Sequence, residues 1–319
     1  MAWTTGTATN YRDLLGKLRD YLVANGWEAH AGTTSGTPAN GDFVSFRGFG
    51  LAGDDDILCT VQCRGDVAAG YYNLLINGHT GYNPQMPGME QSGNHYNPVV
   101  LPLLNTTITY WFIVNPRCFK VICRTNGRYD AAYVGLILPD HAPTDWAYPM
   151  FVGASSFEPA MNASSNSERH SNFWQPFNDS TPSIPASQAY LLSPGGAWRY
   201  LANLRSDGGM YQQRGCMTYP WAAGLSPLAT ARTIDGKAWL LRGVIVQVGD
   251  GLGANAGGAP TLDAPDGGVW YGSFDGVFYT PSFEATVEEI VTEDDVGHLL
   301  IGNVNRVSDG NFAAFALEE

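Results

Sequence analysis

Titratable side chains are scarce in this chain of 319 residues. Only 15% of the residues are charged, and there are six histidines and five cysteines, scattered rather than clustered. A reaction needs such groups to converge in a pocket, and no local segment brings them together, so no catalytic residue and no cofactor site is expected. Basic residues are few as well, 17 Lys and Arg against 30 Asp and Glu, for a net charge of −13. Binding to nucleic acid rests on cations that neutralise phosphates, so nucleic acid is not an expected partner. Uninterrupted apolar runs never approach the ~18–20 residues of a membrane helix, and the longest, Ala238–Val248, has the Val and Ile content of a strand. A membrane is therefore not an expected partner either. The opening residues lack a basic segment followed by an apolar one, which implies folding in a cytoplasm.

The cysteines, Cys59, Cys63, Cys118, Cys123 and Cys216, are odd in number and irregular in spacing. That is a poor disulfide framework, and no CxxC pair or zinc-like histidine spacing accompanies it. Alternation along a strand puts Cys59 and Cys63 on one face, and Cys118 and Cys123 on opposite faces. Buried free thiols are expected, with a Cys59–Cys63 or inter-segment disulfide the alternative for a protein that lives outside the cell.

What is abundant is glycine, aromatic side chains and strand-like apolar segments. One helix reads clearly. Asn10 is a good N-cap, Asp13 suits the first turn, and Tyr11, Leu14, Leu15, Leu18, Tyr21 and Leu22 form an apolar stripe that Gly26 terminates. The helix is expected over 11–25. Strands are expected at 43–49, 57–63, 71–76, 108–114, 118–124 and 131–138. Asn115-Pro116 and Asn126-Gly127 turn the last three into an antiparallel meander. Further strands are expected at 188–193, 214–219, 238–248, 269–274, 277–280, 298–304 and 311–317, and a polar loop at 162–172. The fold class that follows is mainly β, an antiparallel sandwich or jelly roll with one N-terminal amphipathic helix and long loops. Residues 1–27 form an arm and helix, 28–155 a first β region, 156–235 a loop-rich insertion and 236–319 a second β region that completes the sandwich, or the whole is one continuous domain.

Several motifs fall short of a site. Gly249-Asp250-Gly251-Leu252-Gly253 follows a strand but opens no helix, unlike a nucleotide-binding turn. Asp54–Asp56 and the Asp263/Asp266 pair resemble acidic turns more than a calcium loop. Gly153-Ala154-Ser155-Ser156 lacks the second glycine of a nucleophile elbow, although members of a Ser-His-Asp triad can lie far apart in sequence. Glu284 to Asp295 carries six carboxylates and no base, a solvated face or a docking strip for a basic partner. Ring stacking on sugars would suit Tyr82, Tyr96, Trp146, Tyr148, Trp174 and Trp221. The same rings serve equally as interface anchors, and Trp3, Trp146, Trp174 and Trp221 are the candidate interface residues.

The opening Met1-Ala2-Trp3-Thr4-Thr5-Gly6-Thr7-Ala8-Thr9-Asn10-Tyr11-Arg12-Asp13-Leu14-Leu15 with Gly26-Trp27 resembles the start of a group of tailed-bacteriophage virion structural proteins. So do Gly48–Gly53, Tyr71-Tyr72-Asn73, Gly78–Tyr82, Tyr110–Asn115, Tyr133–Pro139, Tyr148–Gly153, Leu300–Val304 and Asn311–Glu318. The likeness spans most of the chain outside about 155–235, and Arg117–Arg124 departs from it. It implies a non-enzymatic virion component of the tail or baseplate. Its partners would be other virion proteins and further copies of the same chain. A glycan-binding module at the tail tip, with a host-surface glycan as partner, and a capsid decoration or collar protein are the alternatives. Residues 2–9 are expected to be an arm that docks on a neighbour.

Overall fold

The computed structural model describes residues 1–86, 88–95, 97–139, 149–164, 170–174, 188–193, 196–200, 216–219, 240–247, 269–280, 286–304 and 312–318. Along the chain run β1 (Ala2–Ala8), α1 (Tyr11–Ala24), β2 (Glu28–Gly32), β3 (Phe43–Gly48), β4 (Ile57–Asp66), β5 (Tyr71–His79), β6 (Val99–Leu103), β7 (Ile108–Val114), β8 (Cys118–Thr125), β9 (Arg128–Leu136) and β10 (Leu138–Pro139). There follow β11 (Met150–Gly153), β12 (Ala189–Leu192), β13 (Trp198–Tyr200), β14 (Cys216–Tyr219), β15 (Leu241–Gln247), β16 (Val269–Thr280), β17 (Ile290–Glu293), β18 (Val296–Ile301) and β19 (Phe312–Ala316).

These strands form three antiparallel sheets, so the fold is sandwich-like with one layer more than a simple sandwich. The central sheet has the order β1-β7-β8-β9-β11-β12-β13, one outer sheet β2-β3-β4-β5-β6, and the other β14-β15-β16-β19-β18-β17. The reason lies in β7–β9, which are apolar on both faces. Phe112, Phe119, Val121, Cys123, Ala132 and Val134 join a first core with Val44, Phe46, Cys59, Val61, Leu74 and Ile76 of the first outer sheet. Ile113, Cys118, Ile122, Ala131 and Tyr133 join a second core with Tyr271, Phe274, Val277, Leu299, Ala313 and Phe315 of the other. A sheet that is apolar on both sides must be covered on both. Cys118 and Cys123, five positions apart, accordingly enter different cores, and Cys59 and Cys63 enter the same one. All four are buried free thiols, and Cys216 has no described side chain. The central sheet draws strands from 2–8 as well as from 108–200, so the segment boundaries near 27 and 155 do not coincide with sheets.

The helix closes the first core. Asn10 Oδ1 accepts from the Arg12 and Asp13 amides at 3.0 and 3.1 Å, and Asp13 Oδ2 accepts from the Thr9 amide at 2.7 Å. Leu14, Leu15, Leu18 and Leu22 are fully buried, each a gain of roughly 1.5–3 kcal/mol relative to exposure. Gly26, at φ +90°, lets the chain leave the helix.

Residues 2–8 are not a free arm. They form β1, paired in continuous register with β7 from Ala2 opposite Val114 to Ala8 opposite Ile108. The Thr- and Gly-rich sequence alternates too weakly to announce a strand. Opposite Gly6, the ring of Tyr110 occupies the space a Cβ would need. The meander is as expected, with Asn126 and Gly127 both at positive φ in the two-residue turn. Two expected strands, 269–274 and 277–280, are one continuous β16. Strands β2, β6, β11, β13 and β17 fall outside the expected set, being short or, in β6, containing Pro102.

Candidate functional site

The β7–β8 turn reaches across to the second outer sheet. Asn115 Oδ1 accepts from the amides of Arg117 and Cys118 at 2.9 and 2.8 Å, which makes a tight Asx turn. Its Nδ2 donates to Asp275 Oδ2 at 2.9 Å, and Arg117 donates to the same oxygen through Nε at 3.0 Å and Nη2 at 2.9 Å. Asp275 sits in the middle of β16 and is buried. This anchor sits at an irregularity of β16, where the sequence alone suggests a turn: Gly276 has φ +66°, and the register to β15 shifts between Arg242, opposite Phe278, and Val244, opposite Ser273. Next to it lies Lys120, which is fully buried. Its ammonium meets the Met1 thioether at 3.7 Å and the Tyr133 ring at 5.7 Å. Burial pushes the Cys118 thiol up to about 11, with the Lys120 charge pulling the other way, and pushes the Tyr133 phenol well above its usual value.

On the outer side of this region a cleft of about 460 Å³ opens between Met1, Leu138, Arg242, Asp275, Phe278 and His298. Glu293, Asp294 and Glu318 rim it. Phe278 and His298 meet edge to face at 5.2 Å. Burial lowers the His298 pKa, and its Nδ1 lies 2.9 Å from the Val296 carbonyl. An exposed guanidinium, an aromatic edge and three carboxylates suit a polar ligand bound by hydrogen bonds.

A second polar cluster lies inside the molecule. His170 Nε2 is 2.6 Å from Asp130 Oδ1, and both side chains are completely buried. Ser155 and Asn172 bond one another and both receive the Ala131 amide, at 3.0 and 2.9 Å. Asn303 Oδ1 takes the Asn172 amide at 2.7 Å. The tertiary structure thus brings a serine, a histidine and an aspartate into one neighbourhood. A nucleophile must meet its substrate, and Ser155 is sealed from solvent, so the cluster ties the 154–174 segment and β18's end to β9. Sequence spacing carries no signal of it, since apart from His170 and Asn172 its members lie 15 to 173 residues apart.

A third polar cluster has His79 on the outer face of the first outer sheet and His95 between the end of β5 and the central sheet. Ser45, Thr60 and His79 form a buried hydrogen-bonded chain, each link 2.8 Å. His95 Nε2 accepts from the Gly78 amide at 3.0 Å, so its other nitrogen, Nδ1, carries the proton and donates to Asn97 at 2.6 Å. The ring stacks on Tyr190 at 4.4 Å and meets Trp198 edge-on. Burial lowers the pKa of His79 to about 4 and of His95 to about 3. Both are neutral: His79 ties the end of β5 to β4 through Thr60, and His95 holds the segment before β6 against β5 and β12.

The sequence-derived candidates distribute unevenly over this frame. Trp174 is fully buried, edge-on to Phe173 and Phe315 at 5.2 and 5.6 Å. This corrects its reading as an exposed loop ring, because the apolar surface of the second core closes over it. Trp3 lies half-buried in β1 against the second core. Trp146 and Trp221 lie outside the described residues, as do Tyr96, Tyr148, Asp263, Asp266 and the 249–253 glycines. Tyr82 is exposed and meets His30 edge-on at 4.4 Å. In the acidic strip, Glu288 is bonded by Arg124 and by the Tyr129 hydroxyl, and Glu293-Asp294-Asp295 form the β17–β18 turn. Asp56 pairs with Arg47. Among the described residues no group of three or more His, Cys, Asp or Glu could hold a metal ion, and no helix is long and apolar enough to cross a membrane. No protein-family model matches the sequence, and no curated protein matches it significantly.

Proposed function

We propose that this chain is a non-enzymatic structural subunit of a tailed-phage virion, in the tail or baseplate, and that it acts by multi-copy assembly. The observation that carries this reading is where the family-like segments fall. The opening block is β1 and the start of α1, Tyr71–Asn73 and Gly78–His79 lie in β5, and Tyr110–Val114 lies in β7. Tyr133–Leu136, Met150–Gly153, Leu300–Ile301 and Phe312–Ala316 lie in β9, β11, β18 and β19. The likeness therefore sits on the frame of all three sheets. A frame with two cores, stiffened by buried neutral histidines and a buried Asn115–Arg117–Asp275 anchor, is suited to bearing load in a repeated assembly.

Cryo-electron microscopy of the intact particle tests this. Symmetric copies buried against neighbours in the tail or baseplate are the expected result. Density on the capsid would move the chain to the decoration or collar class, and absence from the particle would overturn the reading. A second reading, a tip-located glycan receptor, has the Arg242–Phe278–His298 cleft in its favour. It expects glycan-array binding that Arg242→Ala abolishes.

A further inference from the structure

The seven-residue strand β1 forms one margin of the central sheet. Its backbone bonds only to β7. Among the described residues, none of the turn, loop and cap bonds involves Ala2–Ala8, and the one side-chain bond of the strand, from Thr5 Oγ1 to the Tyr110 carbonyl at 2.9 Å, also points back to β7. The outward N–H and C=O groups of β1 therefore have no partner among the described residues.

Sheet margins are templates for further strands, and proteins guard them with charge, proline, bulges or brevity. Margins elsewhere in this fold carry such guards. Strand β2 has Glu28 and a bulge between Ala29 and Ala31. Strand β6 contains Pro102 and is bridged to Ser156 through Val100. Strand β13 is three residues long and includes Arg199, β17 is four residues long and ends in Glu293, and β14, the other margin of its sheet, is four residues long. Strand β1, Ala-Trp-Thr-Thr-Gly-Thr-Ala, has no charge, no proline and no bulge. It is also rigid before any partner arrives, gripped by β7 along its whole length, by Trp3 in the second core and by the helix cap at its end. A preformed edge loses little conformational freedom when it binds.

We propose that this edge pairs antiparallel with the same strand of a second copy, which joins two central sheets into one across a two-fold axis. The proposal rests on the assembly reading above and names its partner. Strand chemistry favours a copy. With Thr5 on the axis, Thr5 faces Thr5, Thr4 faces Gly6, Trp3 faces Thr7 and Ala2 faces Ala8. Each bulky residue meets a small or β-branched one, as cross-strand pairs prefer, and no like charges meet. Copies with a net charge of −13 repel across acidic surfaces, and β1 is an uncharged line of approach. The contact is isologous and closes on itself.

Sedimentation velocity over a wide concentration range tests this on the full chain. Thr5 is exposed, so Thr5→Lys and Thr5→Glu are expected to unfold at the wild-type temperature. Each places like charges opposite one another on the axis and weakens the dimer about five-fold, while an equimolar mixture of the two recovers it. Hydrogen exchange at outward β1 amides is expected to slow as the dimer forms. A wild-type chain that stays monomeric, or a Lys/Glu mixture that pairs no better than either variant alone, overturns pairing between copies. Neither result bears on whether the chain resides in the particle, which microscopy decides separately.

Discussion

Acid is expected to loosen this fold through two histidines. His79 and His95 are buried and neutral, with pKa values lowered by burial from 6.5 to about 4 and about 3. In the unfolded chain both titrate near the ordinary value. As pH falls below 6.5 the unfolded state takes up protons that the folded state refuses. Stability is therefore fully present above that pH and is lost downward until the folded values are reached. At about pH 5 the loss is about 2 kcal/mol per histidine, or about 4 kcal/mol for the pair, since one pH unit is worth about 1.36 kcal/mol per proton. This figure depends on the unfolded pKa alone, provided the folded values lie below 5. Against a total of roughly 5–15 kcal/mol it is large, on the order of 10 °C in Tm for a chain of this size. Protonation of His95 would also turn an N–H toward the Gly78 amide, whose hydrogen its Nε2 accepts at 3.0 Å, and residues 80–95 would lose that anchor first. The assay is thermal unfolding from pH 7.5 to 5 for the wild type and for His95→Gln, which retains an acceptor but cannot titrate. The variant should lose about half of the wild-type pH dependence. The comparison also removes the opposing trend from easing repulsion among carboxylates, which both proteins share. Identical pH dependence in the two proteins would refute the reasoning.

Three further outcomes follow from the packing. Asp275→Ala strands the Asn115 amide and the Arg117 guanidinium. Arg117 is 23% exposed and can reach water, so the loss is about 2–3 kcal/mol by chemical denaturation, and Asp275→Asn should restore part of it. Trp174→Ala empties a fully buried site between Phe173 and Phe315 and should cost about 3–5 kcal/mol; a variant with wild-type stability would refute its placement in the core. Lys120→Met replaces a buried cation, whose ammonium lies beside the Met1 thioether, the Tyr133 ring and the Cys118 thiol, by an apolar side chain of similar length. It should leave stability unchanged or raise it by up to about 2 kcal/mol, read from the urea midpoint at constant m-value.

Much of the local structure follows from local chemistry. Asn10, Asp13, the leucine stripe and Gly26 bound α1 to within a residue of its observed span, because capping and periodicity act within a few positions. The β7–β9 meander is equally local. Its strands are β-branched and aromatic, and Asn126-Gly127 adopts the positive φ values that such a turn requires. The facing of the cysteines follows from counting, since an odd separation along a strand changes face.

The tertiary structure decided what neighbours decide. Ala2–Ala8 is a strand because β7 has an open margin and Tyr110 fills the place above Gly6. Residues 269–280 form one strand with a register shift at Asp275-Gly276 rather than two strands, and Asn115 and Arg117, more than 150 positions away, hold the Asp275 carboxylate there. Trp174 is core because the second outer sheet closes over it, and Glu288 is an internal partner because Arg124 and Tyr129 lie opposite. The meeting of Asp130, Ser155, His170 and Asn172 has the same origin. The sequence by itself determined the helix and the longer, strongly patterned strands such as β4, β5 and β7–β9, but not the short strands or β1. It left open that β7–β9, apolar on both faces, would be covered by two further sheets, and that one end of that central layer would be an open edge. Those follow from long-range pairing, in which burial and hydrogen bonding between distant segments select one arrangement among many that are locally equivalent.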